Sequence, residues 1–176
     1  MLKRNVLKAL NDQINAEFYS AYLYLGMSAW CEDRNLPGFA AWMRKQFEEE
    51  QKHALKIFDY VLEQNEAVHL AAISAPPAVY KSLQEIWEET YAHEQHVTSL
   101  IHKVYALALK EQDFATQGLM QWYVNEQVEE EATAETLLHQ VKTLAKSPEG
   151  LIMLDRELAT RPAPVAGPQG GGQASA

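Results

Sequence analysis

Four stretches of this chain each carry an apolar stripe at helical spacing, and each stripe is broken near its middle by polar residues. In the first, from about Asn5 to Arg34, Leu7, Leu10, Ile14, Ala21 and Tyr24 keep a helix period, with Glu17 in register between Ile14 and Ala21. The second, running to about Asn65, reads Phe39, Met43, Ile57 and Val61, and the same face passes through Glu50 and His53. The third, about Ser82 to Glu111, has Leu83, Trp87, Val97, Ile101, Val104 and Ala108, with Glu94 in register. The fourth, about Phe114 to Ala145, has Met120, Tyr123, Ala134, Leu137, Val141 and Leu144, and Gln127 and Glu130 fill the two positions between Tyr123 and Ala134. The helix midpoints fall near residues 19, 51, 97 and 130, so every interruption lies within about a turn of the centre. Helices of similar length share a midplane whichever way they run, so these side chains meet at one level.

That convergence dictates chemistry. An isolated Glu-x-x-His such as Glu50–His53 is more often a solvated acidic run beside a core histidine. Four carboxylates and an imidazole inside one bundle are different, because they cannot all stay charged without cations. Two divalent ions sharing bridging carboxylates would balance four carboxylates. Oxygen-rich ligation with one imidazole suits Fe(II) or Mn(II), and zinc would also bind.

The connections define an all-α, antiparallel four-helix bundle with one long crossover and a short fifth helix. Asn35-Leu36-Pro37-Gly38 makes a turn, with Pro37 suited to the first turn of a helix. From Glu66 to Lys81 the helical pattern stops, and Pro76-Pro77 resist it. Such a segment, ~53 Å when extended, can return along a ~42 Å helix and join parallel helices. Ser82 to Glu85 has the form of a capping box, and Gln112-Asp113 is a tight turn. Ser147-Pro148-Glu149 opens a helix from Leu151 to about Thr160, with Leu151, Leu154 and Leu158 on one face and Ile152 and Met153 beside them. An element this short needs a surface to pack on. Residues 1–160 read as one domain and 161–176 as a disordered tail rich in Pro and Gly.

With 176 residues the chain is long enough for a sizeable core, and its 47% hydrophobic content excludes a disordered protein. A net charge of −9 argues against nucleic acid or an anionic membrane as partner. No run approaches the ~20 apolar residues that span a bilayer. The single cysteine, Cys31, forms no internal disulfide, and the first ten residues lack a signal-peptide core, so a cytoplasmic protein is expected.

Glutamate from two helices and Glu-x-x-His from two others is the pattern of the ferritin-like di-iron bundles. Here the fourth helix departs from it, offering Gln127-x-x-Glu130. The chain resembles the bacterial non-haem ferritins over about residues 1–160. The motifs that carry the likeness are Ala16-Glu17-Phe18-Tyr19, Glu49-Glu50-Gln51-Lys52-His53, Tyr91-Ala92-His93-Glu94-Gln95, Gln121 to Gln127 and Leu154-Asp155-Arg156-Glu157-Leu158. The resemblance implies a ferroxidase that stores iron. One iron would sit with Glu17, Glu50 and His53, and a second with Glu50, Glu94 and Glu130, with Gln127 beside it. A third iron would be held by Glu49, Glu126, Glu129 and Glu130. It further implies O₂ or H₂O₂ as oxidant and a homo-oligomeric cage of twenty-four subunits, closed through the fifth helix.

Other readings are separable. A rubrerythrin-like peroxidase would need paired Cys-x-x-Cys, and a ribonucleotide reductase subunit a far longer chain. No haem is expected, because the residue two after Glu50, where a bacterioferritin has its haem methionine, is Lys52. DNA-protecting mini-ferritins lack the fifth-helix segment. A purely structural bundle leaves the buried acids unexplained. Tyr24 and Trp122 are placed where either could give an electron, although aromatics on such stripes are usually core.

Overall fold

The computed structural model describes residues 2–160 and contains, among them, five helices and no strand. They are α1 (Arg4–Glu32), α2 (Pro37–Glu63), α3 (Leu83–Glu111), α4 (Phe114–Leu144) and α5 (Pro148–Ala159). Local chemistry sets their ends. Ser82, Asp113 and Ser147 each accept a backbone N–H of the first turn that follows, from Glu85, Thr116 and Gly150. The capping box is only half realised, since the Glu85 carboxylate takes the N–H of Lys81 and not that of Ser82. α3 stops where Gln112 enters the left-handed region at φ 56°, letting Asp113 N–H reach Ala108 O at 2.9 Å. The tail after residue 160, expected to be disordered, lies outside the described residues.

Cross-helix contacts fix direction. Lys3, just before α1, and Ser20 and Met27 along it meet Glu111, His93 and Thr90 of α3, so those two helices are antiparallel. Along α2, Gln46, His53 and Tyr60 meet Glu130, Tyr123 and Thr116 of α4 in the same opposed sense. The short turns make α1–α2 and α3–α4 antiparallel as well, which leaves α2 and α3 parallel. The segment 64–82 joins them by climbing back along α1. Asn11 Oδ1 accepts His69 N–H at 2.6 Å, Asn15 Nδ2 donates to Ala72 O at 3.2 Å, and Trp30 Nε1 donates to Tyr80 O at 3.1 Å.

The stripe residues form two apolar clusters rather than one. The first holds Tyr24, Met27, Phe39, Trp42, Trp87 and Val141, and the second Leu10, Ile14, Ile57, Val61, Ile101 and Tyr123. Between them lies the layer of polar residues at the middle of every helix. α5 seals the end of the first cluster with Leu154 and Leu158, while Ile152 and Met153 face outward, Met153 with 71% of its surface exposed.

Candidate metal centre

The polar layer is held from both sides by packed apolar residues, so its members are shielded from bulk solvent. Glu17, Glu50, His53 and Glu94 are 1%, 2%, 4% and 1% exposed, and Glu49, Gln127 and Glu130 are also buried. Glu17 of α1 and Glu50 and His53 of α2 offer ligand atoms all within 4.8 Å of one another. His53 Nδ1 lies 3.5 Å from Glu50 Oε2. Oε2 of Glu17 and Oε2 of Glu50 are sealed from water with no hydrogen-bond donor on them. An anionic oxygen left in that state is costly, and a cation bound there offsets the cost.

Glu94 and Glu130 lie near enough to Glu50 for their charges to act on it, but their ligand atoms do not join either close group. Glu94 accepts from the Tyr24 hydroxyl on Oε1 and from Gln127 Nε2 on Oε2 at 3.2 Å, and Glu130 Oε2 accepts from Gln46 Nε2 at 2.9 Å. Burial raises the pKa of all four carboxyls. Glu50 and Glu130 go highest, because after burial itself the negative charges of their neighbours act on them, Glu94 foremost in both cases. For Glu17 and Glu94, hydrogen bonds from Gln13, and from Tyr24 and Gln127, pull part of the way back. Positive charge brought among these carboxyls would act against that rise and favour their ionised form.

A second group, Glu49, His53 and Glu126, also brings its ligand atoms within 4.8 Å. Glu126 is half-buried at the edge of the polar layer, and its carboxyl is raised by burial and by the charge of Glu129. Glu129 is exposed and does not belong to this group. The structure thus places Glu49 and Glu126 together beside His53 and leaves Glu129 on the surface of α4.

Of the two aromatics singled out in the sequence, Tyr24 is fully buried against Glu94. Trp122 stands edge-on to the His53 ring, centroids 5.4 Å apart, with Lys56 Nζ 4.2 Å above it. His93 packs between helices, its Nε2 2.8 Å from Ser20 Oγ, and burial pushes its pKa down to about 4. Sequence reasoning missed Gln13 and Gln46, which donate to Glu17 and Glu130. Their one mark in the sequence is spacing, each standing one turn before an acid.

Comparison with known proteins gives this arrangement a family. The ferritin-like domain family matches residues 7–144. A bacterial non-heme ferritin of Escherichia coli O6:H1 is 39% identical over 160 residues, covering 91% of this chain and 97% of that protein. A non-heme ferritin-like protein of Haemophilus influenzae is 41% identical over 158 residues, covering 90% of this chain and 96% of that one. Among solved structures, an Archaeoglobus fulgidus ferritin engineered to a closed form superposes with a TM-score of 0.90 at 43% identity, covering 92% of this chain and 99% of its own. A humanised archaeal ferritin gives 0.92 at 41% identity, covering 94% and 100%. Fold and sequence together define a ferritin-like four-helix bundle. The chain belongs to the ferritin family, on the side of its bacterial non-haem members.

Proposed function

We propose that this chain is an iron-storage ferritin whose buried centre oxidises Fe(II) with O₂ or H₂O₂ and passes the ferric product into the hollow of a homo-oligomeric cage. The observation that carries the reading is the pair of donorless carboxylate oxygens on Glu17 and Glu50 beside His53 in a layer shielded from bulk solvent. Iron is the substrate. Two Fe(II) ions would be taken up, one by Glu17, Glu50 and His53 and the other by Glu50, Glu94 and Glu130. With O₂ as oxidant each ferrous ion gives up one electron: two Fe(II), one O₂ and two protons yield two Fe(III) and one H₂O₂. Carboxylate ligands favour the trivalent product over the divalent reactant, which drives the oxidation forward. Glu50, common to both ligand sets, would serve both ions. Glu49 and Glu126, with Glu129 swinging in from the surface and Glu130 shared, would hold a third. Ferric ions leaving that side would then enter the cage interior.

His53→Ala and Glu50→Ala test the proposal. Each should abolish oxidation on the fast time scale while leaving helix content by circular dichroism near that of the parent, since neither side chain belongs to the two apolar clusters. Parent rates in either variant would contradict the assignment.

A further inference from the structure

Among the described residues, Glu17, Glu50, Glu94 and Glu130 have no lysine or arginine paired with them. Buried acids are usually neutralised by a cationic side chain, but here glutamine amides take that place. Gln13 Nε2 donates to Glu17 Oε1 at 2.9 Å, Gln46 Nε2 to Glu130 Oε2 at 2.9 Å, and Gln127 Nε2 to Glu94 Oε2 at 3.2 Å. Gln13 is 2% exposed and Gln46 is fully buried. No amide reaches Glu50, whose Oε2 is donorless.

We infer that Gln13 and Gln46 are positioning residues that set how each end carboxylate meets its ion, one glutamine for each side of the centre. An ionised carboxylate only accepts, so the amide nitrogen must face it. The bond ties up one oxygen and turns the other toward the ion: Oε2 of Glu17, which is the donorless atom, and Oε1 of Glu130. Glu50, without an amide, keeps the freedom that a carboxylate serving two ions requires. An amide does this without bringing a positive charge, so it orients the acids and does not compete with the incoming cation. Outer partners of this kind typically change metal affinity by about 10- to 100-fold when removed.

The inference rests on the two-ion reading above and predicts a split that this reading alone does not. Anaerobic Co(II) titration of the assembled protein, followed by visible absorption, reports binding without any turnover. The parent should take two Co(II) per chain. Gln13→Met, of nearly the same shape, should weaken one of the two steps about 10- to 100-fold and leave the other unchanged. Gln46→Met should weaken the opposite step by a similar factor. Gln46→His, which restores an N–H donor at similar reach, should recover most of the loss. If both methionine variants weaken both steps alike, or neither step moves, the inference is wrong while the two-ion reading stands. If the parent itself fails to bind two Co(II), it is that reading which fails.

Discussion

Glu129 isolates a question that belongs to single side chains. It stands on α4 next to Glu130 and three residues from Glu126, and like charges at that spacing repel by a few tenths of a kcal/mol. Its negative charge also lifts the Glu126 carboxyl. For helix stability alone this is a poor choice, whereas a third ferric ion shared with Glu49, Glu126 and Glu130 would remove the repulsion. Taken up as Fe(II) and oxidised there, that ion would bring a further electron, carry part of the O₂ past H₂O₂ toward water and raise the Fe(II):O₂ ratio above two. Glu129→Ala should therefore preserve the first fast oxidation, lower the ratio toward two and change the rate of later turnovers. An oxygen-electrode titration showing the parent ratio and the parent repeat rate would return Glu129 to the solvated surface, where the structure places it.

At the level of elements, α5 docks through Leu154 and Leu158 and through one carboxylate. Asp155 Oδ1 accepts the N–H groups of Gly38 and Phe39 at 2.8 and 3.0 Å, capping the first turn of α2 from another helix. Hydrogen bonds to a charged acceptor make Asp155→Ala worth a loss of about 2 kcal/mol, read as a lower midpoint of thermal unfolding. Gly38→Ala should do more, because its Cβ would stand 1.6 Å from the Asp155 carbonyl oxygen and α5 would have to move. A Gly38→Ala protein with unchanged α5 protection in hydrogen exchange would contradict this packing. The sequence could not announce the contact: Asp155 and Gly38 are 117 positions apart and neither belongs to a periodic pattern. By contrast the four long helices were legible, with ends within about three residues, since each stripe spans many turns and Ser82 and Ser147 mark starts by their own side chains. Glu17, Glu50, His53, Glu94, Gln127 and Glu130 stood out as polar breaks in apolar stripes, and all six are buried in one layer. Gln13 and Gln46 did not, because a glutamine one turn from an acid is ordinary on a helix surface until burial is known. For the same reason the Tyr24 hydroxyl on Glu94 was hidden behind a ring that packs like any core aromatic.

Across the whole molecule, what remains outward is as telling as what is buried. α5 turns Leu154 and Leu158 inward and leaves Ile152 and Met153 uncovered, a surface suited to contact between subunits. Removing residues from Leu151 onward should weaken or alter the assembly, and removing only those from Pro162 onward should leave it intact. Sedimentation velocity on the two truncations distinguishes them, and an oligomeric state unaltered by the longer deletion would show that α5 makes no subunit contact. No helix among the described residues is long and apolar enough to cross a membrane.

The decisive measurement is an anaerobic Fe(II) titration of the assembled protein, followed by mixing with O₂ and millisecond absorbance recording. Two or more Fe(II) bound per chain before oxygen is admitted, then a fast ferric absorbance that saturates with that bound iron, is the expected result. Binding of fewer than two Fe(II) per chain, or ferric colour that forms only at the rate of iron in buffer, would contradict a di-iron oxidation centre built on Glu50.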